Sequence, residues 1–539
     1  MPSFISIDQN CQPLWDVVPK LQALAAASRG GVHCIEDVDV AFTLRGGAAL
    51  PPDSPPGIAR ERVYRGGVSD WGAALFYTEF LGRNPLDVKD LESFTGWTTS
   101  TLAKRLERTV DELYDAYSLS DNHQLVGPSF VKDSKYHRTI ADLRVDEVKP
   151  PLNELLELAR QNMLEAFPAH DAQERVRRWF EDETTALLED LDPCAGDRLP
   201  ALYEAWLRRH RIGADVRRTS DLFALSSDTD APGGVLNRFL ADYSTVAPLY
   251  NRAVEETNSG QNPLRMSAGE LPFAVVFERN GRWLRGDLSL DGDWLVAAED
   301  SWRLERGARL PVADMQGAGV RAIVGKALIL VLQVRWGEGG AALALPKNGS
   351  QYMPTARRFE TLLLDSIGAS APPVQPIWRV CLNVPDRLRS SQTPVRLPTY
   401  LHRAFGCAEC AASTVAERFY QVRDRARRQL EQATEEEGRQ RLWREWAPDQ
   451  FAERDALEER RRELGRNPET RDQAPALWEQ IKQLDADILE ERVERLVETV
   501  HCSRLDFWNS RGAILPWAVA AGGEELYRGI LDQAEIHPE

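Results

Sequence analysis

Apolar positions in the first half of the chain recur mostly at three- and four-residue spacing, the period of a helix with one buried face. In residues 68–82, Trp71, Leu75, Phe76 and Phe80 mark such a face, and Ser69 or Asp70 can cap its start. Residues 87–118 predict two or three short helices broken near Gly96, and residues 151–218 and 233–258 predict further helices, each with an apolar stripe and a charged face. Between them lie the Pro/Gly-rich stretch GGAALPPDSPPG at 46–57 and the polar segment DNHQLVGPSFVKDSKYHRT at 121–139, which read as loops, the second with one short strand.

The pattern changes near Pro272. Residues 273–300 alternate, and the pairs Asn280–Gly281 and Asp291–Gly292 are turn signals that predict antiparallel hairpins. Residues 320–337 are largely apolar and fit a buried strand or a buried helix equally well. An amphipathic helix is expected to end at Gly368, and Ile377 to Val384 reads as a strand between prolines. From about Ala411 the chain is nearly all helical. There Leu477, Ile481, Leu484, Ile488, Val493, Leu496 and Val500 form a seam flanked by Glu and Arg.

The expected fold is therefore mixed and predominantly helical: an α/β domain with antiparallel hairpins, followed by a long helical coiled-coil-like arm. The expected divisions are 1–150 (mixed), 151–265 (helical), 266–410 (α/β), 411–505 (arm) and 506–539 (a tail packing back).

Charge and cysteine usage narrow the partners. The net charge of -17 argues against a broad nucleic-acid or anionic-membrane surface. The longest apolar run, Ala322 to Val334, is interrupted by Lys326 and is too short to span a bilayer. The first ten residues lack the basic and apolar regions of a signal peptide. Seven widely spread cysteines fit a cytoplasmic location better than a disulfide framework.

Four constellations carry candidate chemistry. Cys407 and Cys410 form a CxxC with His402 nearby, and the residue types allow zinc ligation, redox exchange or plain buried thiols. A closed zinc site would need His501 and Cys502 as well. The outgoing helical sequence exceeds the returning one by roughly 30 Å at about 1.5 Å per residue, so only a sharp bend near Pro448 would bring them together. The turn containing Lys347, Asn348 and Gly349 can present backbone N–H groups and a cation to an anion, a nucleotide included. The run GVRAIVGKA fails the P-loop spacing and lacks its Ser/Thr. His123, His137 and Arg138 in the polar segment are candidates for proton transfer and substrate contact. Finally, residues 91–109 resemble a helix-turn-helix with Lys104, Arg105 and Arg108 on the second helix, although Glu92 stands where a small residue is normal.

The order of elements from about Asn262 to Leu505 resembles the bacillithiol-synthesis cysteine-adding enzyme family (BshC). That order is a buried apolar stretch, the turn ALPKNGSQYM, the helix ARRFETLLLDSIGA, the strand in PPVQPIWRVCLNVPD and a helical arm. The resemblance implies an α/β nucleotide-binding-like core, a coiled-coil domain pairing two subunits, and ligation of cysteine to a glucosamine-malate acceptor. Three function classes stay open: an enzyme, with a ligase-like condensation on a small anionic or thiol substrate as one form; an interaction protein using its arm on a partner or a second copy; and a DNA-binding regulator.

Overall fold

The computed structural model describes residues 3–7, 17–27, 29–40, 88–110, 112–113, 135–146, 149, 164, 166–191, 197–210, 212–226, 234–257, 261–347, 352–397, 399–467, 469–503, 505 and 514–539. In chain order the strands are β1 (Phe4–Ile7), β2 (Gly31–Ile35), β3 (His137–Arg138), β4 (Ala214–Arg218), β5 (Glu270–Arg279), β6 (Arg282–Asp291), β7 (Trp294–Ala297), β8 (Asp300–Arg303), β9 (Val320–Gly325), β10 (Ala342–Pro346), β11 (Ile377–Cys381), β12 (Pro394–Arg396), β13 (Glu409–Ala411) and β14 (Glu535–Pro538).

Six of these make one sheet in the order β14-β11-β10-β1-β2-β4. All neighbours are parallel except the β11–β14 pair. The chain thus starts in the middle at β1, moves outward through β2 and β4, then returns to the other side of β1 with β10. This is the doubly wound arrangement with a reversal of strand order between β1 and β10. Successive side chains alternate between two cores, as a pleated strand requires. Phe4, Ile35, Ala344 and Val380 enter one, and Ile5, Cys34, Leu343 and Ile377 enter the other. Gly31 is needed where β1 and β2 approach, because a Cβ there would lie 2.6 Å from the Phe4 ring. The sheet draws on residues 4–7, 31–35, 214–218, 342–346, 377–381 and 535–538, so it crosses the divisions expected near 150, 266 and 410.

The second sheet, β8-β7-β6-β5-β9 with β3 added on β6, is antiparallel. Its hairpins follow the turn signals. Asn280 and Gly281 take φ of 51° and 72°, as a two-residue loop with matching twist demands, and Gly292 takes 58° in the next turn. A third two-residue loop, Ala298–Glu299, places alanine at φ 53° and carries no glycine to announce it. The ambiguous apolar run resolves into both readings: β9, then a helix over Leu328–Arg335. Gly325 permits the join, since a Cβ there would meet Ile329 at 2.6 Å. The segment after β4 runs on beside β9, with Leu225 donating its amide to the Arg321 carbonyl, and this ties the two sheets together.

The C-terminal helices cover Ala412–Ala433, Glu436–Trp446, Pro448–Arg466 and Ala474–Ser503. The outgoing path breaks twice, while the return is one continuous helix. Leu430, Trp443, Trp446 and Phe451 pack on Ile488, Val493, Leu496 and Val500, so the apolar seam is buried within the unit. Arg427 Nε donates to the Ser503 carbonyl at 3.1 Å, which sets the end of the return against the middle of the first outgoing helix. No described helix is long and apolar enough to cross a membrane.

Candidate active site

In a doubly wound sheet, ligands meet the carboxyl ends of the strands beside the point where strand order reverses. Here that point is the exit of β1, flanked by β2 and β10. Register puts Ile5 level with Val32 on one side and Leu343 on the other. Lys347, just past β10, therefore stands at the same height as Glu36, just past β2. The two strand ends are about 10 Å apart, two strand spacings. Lys347 donates its own amide to the Val380 carbonyl at 3.0 Å, which fixes its backbone beside β11. Next to it, burial pushes the Cys381 thiol up from its ordinary range, although Lys347 pulls it down.

The end of β2 is pinned by a buried carboxylate. Asp37 accepts from the Ser220 amide at 2.9 Å and from its hydroxyl at 2.5 Å, and its carbonyl accepts from Ala141 at 2.8 Å. Burial pushes this carboxyl up to about 6 against those bonds and the nearby Arg218. Deeper in the sheet, His33 Nδ1 lies 3.1 Å from the Ser6 hydroxyl. Asp37 and His33 show no exposed surface, so they position the strand ends rather than meet a ligand.

Beyond Asp37 the chain lays Val38 against Val276, Ala322 and Val324 of the second sheet. Asp39 then accepts from Arg285 Nη1 at 2.7 Å. This leads onto a half-exposed polar face. His137 on β3 pairs with Arg285 on β6. Two residues on, Asp287 takes the Lys326 ammonium at 2.9 Å. Burial pulls the His137 imidazole below its ordinary range, opposed by Asp287 and assisted by Arg285 and Lys326, which favours the neutral form. Burial alone would raise Asp287, but Lys326, then Arg285 and His137, hold it below the usual carboxylate range. Lys326 precedes Ala327, which takes φ 40° and ψ -107°, a conformation that L-residues hold only where the surroundings enforce it. The face thus offers an imidazole, an ammonium, a guanidinium and two carboxylates, the groups needed to hold an anion and move a proton beside it.

Of the residues singled out in the sequence, His137 lies on this face and Lys347 beside the exit of β1. Arg138 is instead engaged in structure: its Nε donates to the buried Asp142 at 2.8 Å, next to Arg282 and Arg198 on the same carboxylate. His123, Asn348 and Gly349 fall outside the described residues, as does the helix expected at 68–82. The metal reading of Cys407, Cys410 and His402 does not hold in this state. The two sulfurs are bonded to each other, and His402 Nε2 lies 2.8 Å from the Leu397 carbonyl. Among the described residues, no three His, Cys, Asp or Glu side chains group to hold a metal ion. In the helix-turn-helix-like segment, Glu92 caps the next helix by accepting from the Thr99 amide at 2.7 Å, which accounts for a large residue at that position. Arg105 stacks on Trp97 at 4.3 Å and Arg108 pairs with Glu490, so two of the three cations are taken up within the protein.

Sequence reasoning passed over Asp39, Arg285, Asp287 and Lys326. A signal existed for three of them. Lys326 breaks an apolar run, and Arg285 and Asp287 alternate with Leu284, Gly286 and Leu288 along a hairpin strand. No family model, curated protein or solved structure matches the chain.

Proposed function

We propose that the chain is an enzyme that binds a small anionic substrate where the parallel sheet ends and uses His137 as a general base. The reading is supported above all by one observation: the half-buried His137 stands opposite Arg285 and beside the Lys326–Asp287 pair, on a face reached from the end of β2 through Asp39. Arg285 and Lys326 would hold the anion. His137 would accept a proton from an attacking amine, hydroxyl or thiol, and Lys347 would add charge on the far side of β1. A ligase-like condensation fits these roles. The resemblance to the cysteine-adding family names the version to test first, an amino acid joined to a sugar-derived acceptor, with a nucleotide as co-substrate.

The test is thermal-shift screening of the full chain against nucleotides, amino acids and sugar phosphates. A ligand at about one hundred times its Kd stabilises by about 2.7 kcal/mol, a shift of a few degrees. That shift should shrink in Lys326→Met and survive in His137→Gln, which should abolish turnover. A flat response to every class, or a shift indifferent to Lys326, would overturn the proposal.

A second reading draws on Trp478, which is 42% exposed on the returning helix between Arg461 and Lys482. An exposed tryptophan between cations suits a partner surface, so a coiled-coil-like arm pairing two copies is the alternative. Sedimentation of wild type against Trp478→Ala separates the two readings.

A further inference from the structure

The CxxC is the sharpest motif in the chain and the reaction proposed above does not use it. Its surroundings point to a role. The helix Thr399–Phe405 ends at Gly406, the CxxC follows, and the helix Ala412–Ala433 starts directly after it. Cys407 to Cys410 is therefore the turn by which the α/β body passes into the helical unit. Three arginines tie that turn down. Arg418 and Arg425, on the first long helix, donate to the Phe405 and Ala404 carbonyls, and Arg403 reaches Glu491 and Glu498 on the returning helix. The turn is also held from the body: the Leu397 amide donates to the Ala408 carbonyl at 2.9 Å, and β12 pairs with β13 through Val395 and Cys410.

The disulfide closes a loop only three positions long, and a crosslink over so short a loop constrains the unfolded chain least. Its worth lies elsewhere than in bulk stability. Both cysteines are partly exposed, whereas Cys34, Cys381 and Cys502 are buried. Cys410 stands one residue before Ala411, the N-cap of a 22-residue helix whose first turn holds no acidic side chain. The positive end of that helix favours a thiolate at Cys410.

We propose that Cys407–Cys410 is a thiol–disulfide exchange site, reduced by a dithiol donor, whose state sets how tightly the body grips the helical unit. The donor thiolate attacks Cys407 Sγ, and Cys410 leaves as the thiolate, the better leaving group because of its place at the helix start. The second donor thiol then attacks the mixed disulfide and releases Cys407. The protein gains two electrons and two protons, and the donor leaves as its own disulfide. Reduction frees Ala408 and Glu409 from the closed turn and loosens the Leu397–Ala408 bond.

Dithiothreitol serves as the probe on the full folded chain, at set ratios of its reduced and oxidised forms, followed by acid quench, alkylation and peptide mapping. Cys407 and Cys410 should acquire two labels together in one two-electron step, while Cys34 and Cys502 stay unlabelled. Hydrogen exchange at Leu397 should quicken by about tenfold on reduction. The double variant Cys407→Ser/Cys410→Ser should exchange at the reduced rate and ignore the reductant. A disulfide that resists excess dithiothreitol until denaturant is added overturns the exchange site. So does finding both thiols free in oxidised dithiothreitol. A bond that reduces freely with Leu397 exchange unchanged overturns the coupling to the helical unit.

Discussion

Asp37 and Asp142 are far apart in sequence but close in the fold, since Ala141, next to Asp142, donates its amide to the Asp37 carbonyl. Both side chains are buried, and the protein treats them in opposite ways. Around Asp142 it gathers Arg138, Arg198 and Arg282, with the Trp283 amide at 2.9 Å. Burial alone would raise this carboxyl, but Arg282, the Trp283 amide and Arg138 hold it below the usual range. Around Asp37 there are the Ser220 hydroxyl and amide and the charge of Arg218, but no guanidinium bonded to it, so burial wins and the carboxyl rises to about 6. Asp37 is the more deeply buried of the two. Asp142 also has the larger number of charge-assisted bonds, and the two differences together decide the sign of the shift. Asp142 fastens the turn of the β5–β6 hairpin to the rest of the fold. Asp37 sits next to the face proposed for catalysis.

The largest test of this contrast is Asp142→Asn, which leaves three guanidinium groups around a neutral amide. Breaking a buried ion pair from one side destabilises by about 3–5 kcal/mol, so chemical denaturation should show a loss of that size. Next comes Asp37→Asn, which keeps the bond from the Ser220 amide, turns the second contact round so that the new Nδ2 donates to the Ser220 hydroxyl, and removes a charge that burial disfavours. The shift from 3.8 to about 6 corresponds to up to about 3 kcal/mol. The substitution should therefore raise the midpoint at pH 8.

The pH signs follow from the same shifts. Because the Asp37 carboxyl is raised in the fold, its stabilising contribution is full below about 4 and is lost as pH rises through about 6. Wild type should gain stability from pH 7 to pH 5, and Asp37→Asn should not. The Asp142 carboxyl is lowered, so its contribution is present above 3.8 and is lost as pH falls through its depressed value. A melting series from pH 8 to pH 2 reads both slopes, and like-signed slopes would remove the distinction. The smallest effect is Ser220→Ala, which deletes one hydroxyl donor to Asp37 for about 1 kcal/mol and should lift the pH of the Asp37 step further.

The readable parts of the fold were those written in local chemistry. Asn280–Gly281 can hardly be anything but a turn, and Gly368 ends a helix where the apolar spacing stops. The seam is buried at Ile481, Ile488, Val493, Leu496 and Val500 as its spacing asks, while Leu477 and Leu484 are partly buried. The parallel sheet was not readable. β1 and β2 are four and five residues long, too short for periodicity to register, and β4, ADVRR, carries three charges because it is an edge strand. The site follows the same rule. His137 and Lys347 stood out by residue type, but nothing local ties His137 to Asp287 or Lys326. Those contacts exist only because β3 attaches to β6 and β9 ends on the far side of β5 from it.

The strand order has a consequence for synthesis. Phe4 pairs with Ala342, so one edge of the first strand made has no partner until most of the chain has emerged. At about 5–20 residues per second that wait is roughly 20–70 s. Throughout it, an apolar parallel edge formed by β1 is open to any passing strand. A newborn chain must be shielded over that interval, by its own unfolded middle or by a holding chaperone, and translation that pauses before Ala342 should lower the soluble yield.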